Sequence, residues 1–276
     1  MTYASLLVAV EEGIESDARL ELGCDLAVTF NALLIGLSAS APQPPLFDPM
    51  VGGAMTGELL SLYRDMAETD VKKAEARFRE VTAARGVEAE WRGQAGFPSD
   101  LATRTARAAD LVIVGSRGAR IPYHAPDPAD VLMGSGRPVL MVPPAPARSP
   151  VGWPAVIAWN DSREARRAIA PALPLLGKAE RVLLLSLCTE NENEEAGEIA
   201  ADVVRYLSRH GIEADSVIMP TDSRSTGQAI LDFAHERKAG LIVAGGYGHA
   251  RLRQWALGGV TRTLLAESDL CLLLAH

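Results

Sequence analysis

Glycines near the end of the sequence have a spacing that could bind an anion. The pattern is glycine, two residues, glycine, nine residues and a glycine pair, at Gly245, Gly248, Gly258 and Gly259. An apolar run typical of a strand ends at the first glycine, and a segment typical of a helix begins at the last pair. Backbone without side chains can approach an anion closely, and the free N–H groups of a helix start point towards it. The pattern therefore indicates a phosphate-binding loop.

This spacing resembles the ATP-binding signature of the universal stress protein family, in which serine or threonine follows the third glycine. Here Gly259 stands at that hydroxyl position, and Thr261, two residues later, matches a second hydroxyl position of the family. The resemblance implies that the ligand is ATP or AMP. It also implies that the glycine N–H groups and the Thr261 hydroxyl contact the phosphates.

The resemblance implies further contacts from the start of the second half of the chain. Asn160 stands where the family has an aspartate that contacts the ribose or adenine side of the nucleotide, and asparagine keeps an acceptor there. A competing interpretation is that Asn160 only turns the chain. Leu187, at the end of a predicted strand, is expected to flank adenine. The predicted site comprises Trp159, Asn160, Leu187, Gly245, Gly248, Gly258, Gly259, Val260 and Thr261.

Apolar runs alternate with segments of helical periodicity, which predicts an α/β fold with parallel strands. The expected strands are 4–10, 32–37, 87–93, 111–114, 139–142, 155–159, 182–187, 212–219, a run from 239 to the glycines, and 270–275. The resemblance implies two doubly wound domains, each a five-stranded parallel sheet in the order 3-2-1-4-5 with flanking helices. Ligands bind where such a strand order reverses, at the carboxyl ends of the strands. Both predicted site segments lie at that edge.

The sequence repeats itself. The segment 109–118 matches 239–248, which begins 130 positions later. The proline-rich stretch 143–150 is typical of a linker. We therefore predict two tandem domains, 1–145 and 151–276, that form an intramolecular pseudo-dimer, and leave a further homodimer open.

The first half lacks the glycine signature. Ala125 and Pro126 take the positions of the glycine pair, and Pro128 takes that of the threonine. Proline has no N–H to offer a phosphate, and Glu11 and Glu12 near the same edge would repel one. The first domain is therefore predicted not to bind ATP in the family manner. Whether it binds another ligand or is structural stays open, as does whether the long loop 38–53 is a lid or a surface excursion.

Composition excludes several classes of protein. The 276 residues are 48% hydrophobic with a formal net charge of −8, which argues against a nucleic-acid surface. No apolar run approaches the roughly 18 residues of a membrane span, and the start lacks the basic flank of a signal peptide. Three widely separated cysteines in apolar segments, Cys24, Cys188 and Cys271, indicate buried free thiols and no metal site. A cytoplasmic location is expected.

No catalytic pattern is evident, because the sequence has no Ser-His-Asp spacing, no metal cluster and no G-x4-G-K-[ST] motif. The chain is therefore predicted to be a stress-response regulatory protein that binds an adenine nucleotide in its second domain, is not an enzyme, and acts on an unknown protein partner. One alternative is an interaction or other-ligand module that has lost nucleotide binding, since Gly259 lacks the hydroxyl and Asn160 lacks the acid. The other is a slow ATPase.

Overall fold

The computed structural model describes residues 2–42, 54–116, 123–221, 225–247 and 259–276. The long loop expected at residues 38–53, for which a lid and a surface excursion were both left open, lies mostly outside these ranges. The strands are Ser5–Ala9 (β1), Leu33–Ser40 (β2), Ala89–Ala95 (β3), Leu111–Gly115 (β4), Val139–Val142 (β5), Ala155–Trp159 (β6), Val182–Cys188 (β7), Ala214–Pro220 (β8), Leu241–Gly245 (β9) and Cys271–Ala275 (β10). The helices are Ile14–Phe30 (α1), Ala54–Arg85 (α2), Pro98–Thr105 (α3), Pro128–Ser135 (α4), Arg163–Leu176 (α5), Asn193–Arg209 (α6), Thr226–Glu236 (α7) and Gly259–Glu267 (α8).

The chain divides into two compact units, Tyr3–Ser135 and, with the first two residues, Gly136–His276. In the first unit the strand order is β3-β2-β1-β4, and every pairing is parallel. In the second unit the order is β5-β10-β9-β6-β7-β8. Counted from β6, this is the predicted 3-2-1-4-5 order. The α/β fold class, with mostly parallel strands and flanking helices, is confirmed.

The strand β5 is the last strand of the first sequence repeat, but it belongs to the second compact unit. It pairs antiparallel with β10, with Leu140 opposite Leu273. Both strands are fully buried apolar runs. The predicted domain limits, 1–145 and 151–276, stay a prediction.

The helix α5 has two local features at its start and in its interior. The backbone of Asp161 is left-handed (φ 51°), and Ser162 is the N-cap, accepting the N–H of Ala165 at 3.1 Å. The helix then continues past Pro171 and Pro174, because its apolar face is buried and this burial outweighs the local cost of the prolines.

The cysteines are free, as expected. Cys24 and Cys271 are buried, but Cys188 is only half-buried, which corrects the prediction that all three thiols are buried. Cys188 ends β7, where its thiol donates a hydrogen bond to Asn193 Oδ1 at 3.2 Å. Among the described helices, none is long and apolar enough to cross a membrane.

Candidate functional site

A crevice of about 150 Å³ lies at the carboxyl ends of β6, β7 and β9. Seven of the nine predicted residues line it: Trp159, Asn160, Leu187, Gly245, Gly259, Val260 and Thr261. Gly248 and Gly258 lie outside the described residues. Segments that are a hundred residues apart in the chain therefore meet in one crevice, as the switch-point argument expects.

The crevice has further walls that the sequence did not single out. They are Ala158, Ser162, Leu185, Thr226, Ile230 and Ala244. Thr226 is the first residue of α7, where Ser225 caps the helix by accepting the N–H of Gln228 at 3.2 Å. The position of Thr226 beside the crevice depends on how α7 packs.

Asn160 is held by the residue that caps α5. Its Oδ1 accepts hydrogen bonds from the Ser162 hydroxyl at 2.7 Å and the Ser162 N–H at 3.3 Å. These contacts support the interpretation of Asn160 as a turn residue, and its amide group still borders the crevice. The neighbouring Asp161 carboxylate accepts from Arg166 at 2.7 Å, so the charge at this turn is paired.

Gly245 is required by close packing of strand and helix. A Cβ added there would lie 2.5 Å from the backbone N of Ala165 and 2.6 Å from the carbonyl carbon of Glu164. Only glycine lets β9 approach the first turn of α5 this closely. This glycine of the motif therefore has a structural role whether or not a ligand binds.

Gly259 differs from Gly245, because no described atom lies close to the position of an added Cβ. It begins α8, has no left-handed φ, and an added Cβ would meet no described atom within 4 Å. Two residues later, Thr261 is buried and its hydroxyl accepts the N–H of Tyr247 at 3.3 Å. Tyr247 has a positive φ of 59°. Thr261 thus stabilises the turn that leaves β9, while a Cβ could be added at Gly259 without a clash with any described atom.

A charged cluster lies under the crevice. Glu164 is buried and accepts from Arg163 Nε at 2.9 Å. Burial would raise the pKa of this carboxyl, but hydrogen bonds from its own backbone and from Arg163, with the charges of Arg163 and His276, hold the pKa below its usual value. His276 Nδ1 lies 3.1 Å from the carbonyl oxygen of Gly246. The cluster fixes the ends of β9 and β10 against α5.

The equivalent helix start in the first unit carries its own carboxylate. Asp127 Oδ1 accepts the N–H of Ala129 at 2.8 Å, and Pro128, the first residue of α4, has no N–H. The Asp127 N–H in turn donates to Ser99 Oγ at 3.0 Å. The Asp127 carboxylate already caps this helix start, so an external anion would be repelled from α4.

Two glutamates of the first unit, Glu11 and Glu12, were expected to repel a phosphate, and both have cationic partners. Glu11 pairs with the buried Arg19, whose Nε also donates to the carbonyl oxygen of Ala9 at 2.8 Å. Glu12 pairs with Lys73 at 3.2 Å. The buried Arg19 weakens the expected repulsion of a phosphate by Glu11, whereas the exposed pair with Lys73 changes that of Glu12 little. Pro128 and Asp127 are the stronger observations against a phosphate site in the first unit.

The family model of the universal stress proteins matches residues 2–143, just over half of the 276-residue chain. The chain belongs to the universal stress protein family. The match lies in the first half, although the glycine spacing lies in the second. No curated protein matches this universal stress protein.

Solved structures agree with this fold. A universal stress protein from Archaeoglobus fulgidus DSM 4304 is 18% identical with a TM-score of 0.73, and the alignment covers 98% of this chain and 97% of the other. A protein described as a putative universal stress protein, from Pseudomonas aeruginosa UCBPP-PA14, is 17% identical with a TM-score of 0.63, covering 99% and 93%. At these identities the likeness is one of fold.

Proposed function

We propose that this universal stress protein is a regulatory protein of the stress response that binds one adenine nucleotide, ATP or AMP, in the crevice of its second half and catalyses no reaction on it. The observation that carries the proposal is that the end of β6 and the start of α8 meet in one crevice lined by seven predicted residues. In an open α/β sheet, this is the place where ligands bind.

Each group has a chemical role in the proposal. The first N–H groups of α8, at Gly259 and Val260, have no partner within the helix, so they are donors for a phosphate. Leu187 and Leu185 supply an apolar wall for adenine. The Asn160 amide contacts the ribose or adenine side, since its Oδ1 is already taken by Ser162.

The crevice is small for a whole nucleotide. Its volume of about 150 Å³ is below the roughly 300–1,000 Å³ of common ligand pockets. The described walls therefore suit one end of a nucleotide. The same observation favours the second candidate, an interaction module that binds no nucleotide, so the two must be separated by experiment.

The test uses an added carboxylate at the start of α8. Gly259→Asp places a carboxylate on the first residue of α8, and an acidic side chain at a helix start stabilises the helix. The open surroundings of Gly259 accept the side chain. Calorimetric titration with ATP and AMP should give at most one site per wild-type chain, and Gly259→Asp should abolish that binding while the melting temperature is unchanged or raised.

Gly57→Asp is the matched control. Gly57 is exposed in the first turn of α2, and an added Cβ there would meet no described atom within 4 Å. The change in charge is the same, but it lies in the first unit. ATP binding should survive in this variant. If Gly259→Asp binds ATP as the wild type does, no phosphate lies at the start of α8; two equivalent sites per wild-type chain would overturn the proposed asymmetry.

A further inference from the structure

A second cavity in the second unit lies between α5 and α6. Its volume is about 510 Å³, within the range of pockets that hold small organic molecules. Apolar side chains from both helices line it, namely Ile169, Ile199 and Val203. Two aromatic side chains, Trp159 and Tyr206, also line it. We call this cavity the α5–α6 groove.

The charges on the groove favour a cation. Asp161, Asp202 and Arg166 line it, which gives a formal charge of −1. Arg166 is already paired with Asp161 at 2.7 Å. Among the described residues, Asp202 pairs with Arg205 alone, which lies on the same helix, and both side chains are well exposed. Exposed pairs of this kind contribute little, so Asp202 can exchange its partner for a ligand's ammonium group.

The aromatic residues favour the same ligand. Trp159 is 7% exposed, and its indole N–H has no acceptor among the described residues. Tyr206 is 37% exposed and borders the groove from α6. The faces of tryptophan and tyrosine rings attract cations and stack with other rings. An aromatic ring with a short aminoalkyl chain matches both the apolar walls and the acidic rim.

The first unit shows what closes such a groove. There, ion pairs join α1 and the turn before it to α2: Glu12 with Lys73, Asp17 with Arg77, and Asp25 with Arg85. When β1 and β6 are aligned, Arg166 stands at the position of Asp17. No ion pair joins α5 to α6, both of which the structure describes in full. The second unit therefore lacks the charge pairs that bridge the corresponding helices of the first unit.

We propose that the α5–α6 groove binds a small aromatic amine. The ring lies on Ile169 and Val203 beside Trp159 and Tyr206, and the ammonium group pairs with Asp202. The groove is separate from the crevice at α8, although Trp159 lines both. This proposal does not depend on nucleotide binding.

Phenethylamine is the probe. The charge control is 3-phenylpropionate, which has the same ring and two-carbon chain but ends in a carboxylate. Calorimetric titration of the full chain should show one phenethylamine site with a dissociation constant on the order of 1 mM or tighter. Binding should weaken as ionic strength rises, because salt screens exposed charges. 3-Phenylpropionate should not bind measurably, and saturating ATP should not displace phenethylamine.

Two exposed positions test the assignment without endangering the fold. Asp202→Asn should weaken phenethylamine binding about five-fold, the effect of losing one exposed charge pair. Tyr206→Ala should weaken it at least ten-fold through loss of an aromatic wall. Asp215→Asn is the control, since Asp215 is an exposed, ion-paired aspartate of the same unit outside the groove. Equal binding of the carboxylate, no binding of the amine at 10 mM, or binding unchanged in both groove variants would overturn the proposal.

Discussion

Restoring the missing hydroxyl at Gly259 is the sharpest test of the nucleotide crevice. Gly259→Ser places a hydroxyl at the start of α8, where the family signature has serine or threonine. The structure permits the change, because Gly259 has no left-handed φ and an added Cβ would meet no described atom within 4 Å. The substitution should therefore leave the fold intact.

The size of the effect follows from the kind of bond. A hydrogen bond to a charged group contributes about 1.5–3 kcal/mol, and each 1.4 kcal/mol is a factor of ten in affinity. We expect wild-type binding to be micromolar or weaker, and Gly259→Ser to tighten it about 10- to 100-fold. Replacing glycine also stabilises a helix start by about 0.4–1 kcal/mol. Gly259→Ala replaces the glycine without adding a hydroxyl, so it measures the effect of the stabilised helix start alone.

Calorimetric titration of wild type, Gly259→Ser and Gly259→Ala with ATP and with AMP separates the two contributions. The difference between the serine and alanine variants is the contribution of the hydroxyl. If neither wild type nor Gly259→Ser binds at millimolar ATP, the crevice is not a nucleotide site. The interaction-module hypothesis then replaces the nucleotide proposal.

Two further predictions concern positions that the ligand need not touch. Gly245→Ala should lower the free energy of unfolding by about 1–3 kcal/mol, because its Cβ would lie 2.5 Å from the Ala165 nitrogen. Denaturant unfolding measures this, with Gly259→Ala as the control. If the two variants are equally stable, the close packing at Gly245 does not require glycine. Native protein should react with a thiol reagent at Cys188 alone, because burial raises the pKa of Cys24 to about 11 and that of Cys271 to about 12. Mass spectrometry that finds Cys24 or Cys271 labelled before unfolding would refute it.

Much of the fold could be predicted because its signals are local and strong. The strand β6 was expected at residues 155–159 and spans Ala155–Trp159, since a short apolar run between Pro154 and Asn160 has clear limits. The family resemblance is confirmed, and the strands β6 to β10 of the second unit have the 3-2-1-4-5 order. The convergence of the β6 end and the α8 start followed from that order. Whether those residues bind a nucleotide stays a prediction, as do the protein partner and the pseudo-dimer.

What could not be predicted depends on distances between elements. At the start of α5, Asp161 and Ser162 can both cap a helix, and only the left-handed backbone of Asp161 decides between them. The Asp127 cap of α4 does not follow from the missing glycines, because it depends on a carboxylate added just before the helix. The α5–α6 groove has no sequence signature, because its volume depends on the spacing of two helices and on ion pairs that are absent between them.

The pairing of β5 with β10 has a consequence for assembly. When the open strand edges of two separate molecules pair, the paired state predominates only where the protein concentration exceeds the dissociation constant. Here both strands belong to one chain, so the pairing is intramolecular and dilution cannot undo it. The edge of β10 is already occupied at any protein concentration. A homodimer of this chain would therefore need a different surface, and its assembly would be regulated independently of this strand pair.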